Sequence, residues 1–164
     1  MKRIGLLSDT HSYLDPKIFD YFKECDEIWH AGDIGSIEVL NKLKQFKPVR
    51  AVFGNIDGTE IRINCTEMLI FEIEKFKILI IHIAGVFSKY KPEIRNALQF
   101  HKPDVLICGH SHILKIANDP VYRVLYINPG ACGKSGFHKV RTIVRFTMDG
   151  KSFSNMEVIE LHDV

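Results

Sequence analysis

Seven side chains with metal-binding chemistry recur at one kind of place in this sequence, just past a short apolar run and close to a glycine. The densest instance is Asp104-Val105-Leu106-Ile107-Cys108-Gly109-His110-Ser111-His112. His110 and His112 stand at i and i+2, so an extended chain presents both on one side. Asp9 and His11 repeat that spacing after Ile4-Gly5-Leu6-Leu7. Asp33 lies between glycines in Gly32-Asp33-Ile34-Gly35, Asn55 follows Gly54 in Gly54-Asn55-Ile56-Asp57-Gly58, and His82 ends Ile78-Leu79-Ile80-Ile81-His82. Each has an ordinary explanation when taken singly: a histidine satisfied at the rim of the core, an aspartate capping a helix, an Asn-Asp-Gly turn. Ordinary turns do not explain the recurrence. Imidazole nitrogen and carboxylate oxygen are ligands for divalent transition metals. Two carboxylates, one amide and four imidazoles exceed the needs of one ion and suit two. With no thiolate in the set, Mn, Fe, Ni, Co or Zn is expected over Ca or Mg, with selectivity among them set by availability.

Such donors need elements that end together. Short apolar runs bounded by glycine or proline read as strands buried on both faces, as in α/β sheets. Open α/β sheets place their sites at the carboxyl ends of strands. Strands are predicted over 4–7, 27–31, 49–53, 66–74, 77–82, 104–108, 113–117 and 123–127, with a closing hairpin of 138–146 and 154–161. Helices are predicted after Asp15 (N-cap, with Pro16 at the first position), from Ser36 (N-cap) to about Phe46, and over Pro92–Phe100. His101 then sits at a helix C-terminus, where it suits the macrodipole. His30 has the opposite parity to Asp33 and is assigned to packing or to support behind the ligands. Gly130-Ala131-Cys132-Gly133-Lys134-Ser135 superficially resembles a phosphate-binding P-loop, but Asn128 stands where glycine is required and strand residues follow instead of a helix.

Composition narrows the function classes. A chain of 164 residues fits a single domain, 1–164, that buries about two-thirds of the surface its unfolded chain exposes. No linker, repeat or low-complexity segment divides it. A net charge of +2, with lysines and acids interspersed, makes a nucleic-acid partner unexpected. Neither a signal peptide nor an apolar run of membrane-spanning length is visible, so no membrane partner is expected. Cys25, Cys65, Cys108 and Cys132 are widely separated and read as reduced thiols of a cytoplasmic protein. Self-association into a homo-oligomer is left open.

Asp-Thr-His at 9–11, Gly-Asp-Ile-Gly at 32–35, Gly-Asn-Ile-Asp at 54–57, His82 and Gly-His-Ser-His at 109–112 resemble, in order and context, the calcineurin-like metallophosphoesterases. Among them the chain is similar to the small YfcE-type phosphodiesterases, over its whole length. The resemblance implies an α/β fold of four layers, αββα, with two packed mixed sheets flanked by helices. It implies that Asp9, His11, Asp33 and His112 hold one metal ion and that Asp33, Asn55, His82 and His110 hold the other. Asp33, Asn55 and His82 would then be catalytic as well as ligating. The expected activity is hydrolysis of a small phosphoester, chiefly a phosphodiester, by in-line attack of a hydroxide shared between ions about 3.5–4 Å apart. The alternative is a protein-interaction scaffold on the same fold, like the retromer subunit; retention of all seven ligands argues against it.

Two departures from the family pattern stand out. Ile56 follows Asn55 where many members have a histidine able to protonate the leaving group. Ile83 follows His82 where glycine is commoner, so the rim and substrate pocket are expected to differ. Lys89, Tyr90, Lys91, Lys134 and His138 are candidates for that rim, although solvated surface is the plainer reading of each.

Overall fold

Apolar runs with two buried faces dictate a layered molecule. In the computed structural model, which describes residues 1–163, β1 (Lys2–Leu7), β2 (Glu27–His30) and β3 (Val49–Ala51) lie side by side and parallel. They are followed in turn by α1 (Lys17–Tyr21), α2 (Ile37–Phe46) and α3 (Thr59–Asn64). The second sheet holds β4 (Met68–Ile73), β5 (Phe76–Ile81), β8 (Val105–Ile107), β9 (Lys115–Asp119) and β10 (Val124–Asn128), in the order β4-β5-β8-β10-β9. A small hairpin, β6 (Gly85–Val86) and β7 (Lys89–Tyr90), and then α4 (Pro92–His101) carry the chain from β5 to β8. The long hairpin β11 (Arg141–Asp149) and β12 (Ser152–Leu161) returns to the first sheet, whose order is β12-β11-β1-β2-β3.

The period-two alternation of the strands divides the core. Leu6, Trp29, Ile78, Ile80, Ile107 and Phe146 pack between the sheets. Leu7 and Ile28 face the other way, onto Ile18 and Phe22 of the α1 region, Leu40 and Leu43 of α2, and Ile61 of α3. Leu79, Ile81 and Leu106 meet Ile94 and Leu98 of α4. The result is the expected αββα sandwich of two mixed sheets between helices. Among the described residues no helix is long and apolar enough to cross a membrane.

Several boundaries differ from the prediction. Helix α3 was not anticipated, because six residues with one buried apolar position, Ile61, carry almost no periodic signal. The two-residue strands β6 and β7 escaped for the same reason. β9 runs over Lys115–Asp119 instead of 113–117, and β11 begins at Arg141, leaving 138–140 in a loop. Pro16, not Asp15, is the boundary residue of α1, yet Asp15 still accepts the Lys17 N–H at 2.9 Å, which is a capping bond in effect. Ser36 has the extended geometry of an N-cap before α2 but makes no side-chain cap bond. Tyr90 belongs neither to the rim nor to the surface: it is buried, and its hydroxyl donates to Asp119 at 2.6 Å.

Candidate metal centre

Parallel strands end at the same edge, and that edge collects the predicted donors. Backbone bonds extend the pairing past the strands themselves: Asp9 N–H to Gly32 O at 3.0 Å, His11 N–H to Asp33 O at 3.0 Å, and Gly109 N–H to His82 O at 3.0 Å. The loops after β1 and β2 are thereby clamped to each other, as are those after β5 and β8. Gly32, at φ +101°, shows how tightly: a Cβ there would come within 2.6 Å of the His82 ring. One at Gly109 would reach 2.7 Å from Asp9 Oδ2.

All seven predicted donors converge, in two triads with Asn55 set against the second. Asp9, His11 and His112 form one triad and Asp33, His82 and His110 the other, each with its donor atoms within 4.8 Å of one another. Asn55 Oδ1 lies 3.1 Å from both His82 Nε2 and His110 Nδ1. Asp33 Oδ2 lies between the triads, 3.2 Å from His82 Nε2 and 3.4 Å from His11 Nε2. Each carboxylate splits its work. Asp33 Oδ1 accepts the Ile56 N–H at 3.1 Å, while Asp9 Oδ2 accepts the Ser8 hydroxyl at 2.6 Å and the His110 N–H at 3.2 Å. Asp9 Oδ1 and His11 Nε2 are buried without a hydrogen-bond partner. Buried polar atoms are nearly always paired, so two orphans facing each other across a donor cluster fit a cation.

The hydrogen bonds fix which ring nitrogen is free. A carbonyl can only accept, so His82 donates its Nδ1–H to Ala31 O at 2.7 Å and, in its neutral form, turns a lone pair at Nε2 towards Asn55 and Asp33. The same logic runs through His138. Its Nε2–H donates to Gly133 O at 2.7 Å, leaving Nδ1 as an acceptor 3.1 Å from His112 Nδ1. His112 must therefore carry its proton on Nδ1 and direct the Nε2 lone pair at Asp9 Oδ1, 3.1 Å away. Such support orients ligating histidines and sets their tautomer. His138, named from the sequence only as a rim candidate, backs a donor instead.

Electrostatics ties the cluster together. The Asp9 carboxylate raises the His11 pKa above the ordinary imidazole value. Burial works against a charged His82, but Asp33 and Asp9 outweigh it and its pKa is also raised. Burial alone would raise Asp9, yet His11, His112 and His82 hold it far below the usual carboxylate range. The His110 pKa is lowered, first by burial and then by His82. His30 keeps the supporting role expected of it. It is fully buried, accepts the Gly32 N–H at 3.1 Å and contacts Thr10 Oγ1 at 3.0 Å, and burial lowers its pKa to about 4. Asp57 was missed. Its carboxylate accepts three backbone N–H groups, from Gly54 at 2.7 Å, Gly35 at 2.8 Å and Ile34 at 3.2 Å, and so fastens the loop of Asn55 to the loop of Asp33. The sequence signal was present, since Asp57 follows Gly54 in a turn, but its partners in the other loop lie more than twenty residues away.

Two packed mixed sheets with a histidine–carboxylate cluster at their strand ends have the character of a metal-dependent phosphoesterase. The model of the calcineurin-like phosphoesterase superfamily domain matches residues 1–151, and the chain belongs to that superfamily. A protein of Methanocaldococcus jannaschii named "probable metallophosphoesterase" is 37% identical over 134 residues, which are 78% of this chain and 67% of that one. A protein of the same name from Methanothermobacter thermautotrophicus is 34% identical over 136 residues, 78% of this chain and 76% of that one. Among solved structures, one described as a novel archaeal phosphodiesterase has a TM-score of 0.76 at 26% identity, covering 97% of this chain and 99% of its own. The Vps29 of Entamoeba histolytica complexed with zinc has a TM-score of 0.73 at 18% identity, over 97% and 98% of the two chains, a likeness of fold alone.

Proposed function

We propose that this chain is a phosphodiesterase that hydrolyses a small phosphodiester at a centre of two divalent transition-metal ions, manganese first among them. Asp9, His11, Asp33 and His112 would hold one ion, and Asp33, Asn55, His82 and His110 the other. The observation that carries this reading is the pair of buried, unpartnered atoms, Asp9 Oδ1 and His11 Nε2, with Asp33 Oδ2 set between the two triads. When bound, such ions supply Lewis acidity, polarising phosphoryl oxygens and acidifying a water nucleophile. The protein's own residues do the rest. Asn55 contributes an oxygen without a charge, so two carboxylates leave a divalent pair net positive and attractive to a phosphodiester anion. His82 and His112, each locked in one tautomer, hold their lone pairs on the centre. Asp33 is pinned through its other oxygen by the Ile56 N–H.

No side chain stands ready to protonate a leaving group where the family commonly has histidine. Ile56 has no proton to give, and Asp57 is committed to backbone N–H groups. Acidic leaving groups should therefore depart best. Among the described residues, nothing at the site favours the alternative of a scaffold without catalysis. The reading is tested by loading the protein with manganese, counting ions by elemental analysis and locating them by anomalous scattering. Two ions flanking Asp33 are expected. A single ion, none, or ions bound elsewhere would overturn the assignment.

A further inference from the structure

Two depressions open on either side of Ile83. One, of about 370 Å3, is lined by Asn55, Met68, His82, Lys91 and Glu93 together with Ile83, so that charged and hydrogen-bonding side chains stand among its apolar ones. The other, of about 500 Å3, is lined by Ile83, Val86, Phe87, His110, Ile113 and Tyr126. Both begin at candidate ligands, His82 for the first and His110 for the second. Of the residues described, Ile83 alone lines both. It stands where glycine is commoner in the family, so this chain has a side-chain partition where others would have open space.

The larger depression has an unusual surface for one open to water. Val86 and Ile113 are 70% and 67% exposed, and both face it. Phe87 and Tyr126 meet edge to face at 5.0 Å and form an aromatic wall. One cation, Lys115, reaches in, with its Nζ 4.6 Å from the Phe87 ring centroid. Volume and lining are those of a small-molecule subsite, mostly apolar with few polar groups. Apolar side chains displayed together beside a reactive centre gain by being covered.

We propose that this depression is the subsite for an apolar ester arm, aryl or short alkyl, of the phosphodiester, and that Ile83 separates it from a polar subsite for the second arm. The proposal rests on the phosphodiesterase reading for its phosphorus position. With phosphorus at the donor cluster, an arm leaving past His110 enters the apolar side and one leaving past His82 enters the polar side. Lys115 adds attraction for the anionic ester or for an acceptor atom on the arm. The substrate class is thus an asymmetric diester, one arm apolar and one hydrogen-bonding.

The test has a binding arm and a kinetic arm. Metal-free protein with labelled isoleucine and valine methyls is titrated by NMR with diphenyl phosphate and with dimethyl phosphate. Saturable shifts of Val86 and Ile113 with the diphenyl ester alone are expected; shifts confined to other residues, or none, refute the subsite. In the kinetic arm, manganese-loaded protein is assayed on p-nitrophenyl diesters whose second arm is methyl, butyl or phenyl. The apolar arms should raise kcat/KM about 10–100-fold over methyl. Val86→Asp and, separately, Ile113→Asp should bring that ratio close to one. Both positions are exposed, so folding should tolerate either change. Equal rates for all arms, or ratios unmoved by both variants, overturn the proposal while leaving the phosphodiesterase reading intact. Methyl shifts with diphenyl phosphate but no hydrolysis of any ester would sustain the subsite and refute that reading.

Discussion

Replacing His138 by alanine isolates one link in the centre. The substitution removes the acceptor of the His112 Nδ1–H and the donor to Gly133 O, bonds of 3.1 and 2.7 Å. It leaves every proposed ligand in place. The lost His112 bond is worth about 1 kcal/mol by itself, and the freed ring also loses its fixed tautomer and angle. Partners of this kind typically account for about 10–100-fold in metal affinity, or roughly 1.4–2.7 kcal/mol. The effect should fall on one ion only, because His112 belongs to the triad of Asp9 and His11 while His82 is held independently by Ala31 O. Competition with a chromophoric chelator resolves the two binding steps, and one should weaken by that factor while the other stays put. His138→Gln, which can still offer an oxygen acceptor, should recover part of the loss. Nitrogen NMR of metal-free protein supplies a readout that general destabilisation would not imitate: the His112 ring should lose its single tautomer. Equal weakening of both steps, or no weakening, would refute the reasoning.

Asp33→Asn should weaken both ions and nearly abolish turnover, whereas His112→Ala should weaken chiefly one; metal content near normal in Asp33→Asn would contradict a shared ligand. Metal affinity should keep rising with pH above about 6.5, the ordinary imidazole value, because His11 and His82 are raised above it in the metal-free protein and must release protons to bind. By the same sign, these two groups stabilise the metal-free fold fully below that pH and progressively less as pH rises through their raised values. Calorimetric titrations in buffers of different ionisation heat measure the protons released, and none released just above pH 6.5 would exclude the effect. For Ile56, rates on a series of aryl and alkyl diesters should slope steeply with leaving-group pKa. Ile56→His should flatten that slope, restoring up to about 10²–10⁴-fold on the poorest leaving groups; a flat wild-type plot would reveal another proton donor.

The parts of this molecule that a sequence displays are those governed by local periodicity. Leu6 and Leu7, or Leu79 and Ile80, announce by adjacency that both faces of their strands are buried, and that is enough to require helices outside two sheets. The donors were legible because each sits at the end of such a run. What stayed hidden depends on distance along the chain. Asp57 fastens loops that are 22 or 23 residues from it, and His138 meets His112 across 26 residues. Neither has a local pattern that distinguishes it from any other turn aspartate or surface histidine. Tyr90 was misread for the complementary reason: its neighbours in sequence are lysines, while its hydroxyl partner, Asp119, lies 29 residues on.

Backbone conformation was equally invisible, and it bears on why the centre is built as it is. Asp9, His11, Asp33, His110 and His112 all adopt positive φ, between 45° and 71°. Non-glycine residues in this region cost roughly 1–3 kcal/mol each, and they gather where function over-determines the chain. Two buried donors without partners add about 1–3 kcal/mol apiece. Such a cluster persists only because the surrounding loops are tied independently of it, by Asp57, by the buried and neutral His30 and by the backbone bonds that continue the sheets. A cation among these donors would satisfy the orphans and offset carboxylate against imidazole without moving a strand. Rigid support and unsatisfied donors belong to the same design. The scaffold holds the proposed ligands in a geometry they would not choose, so that the energy of binding an ion would not be consumed in arranging them.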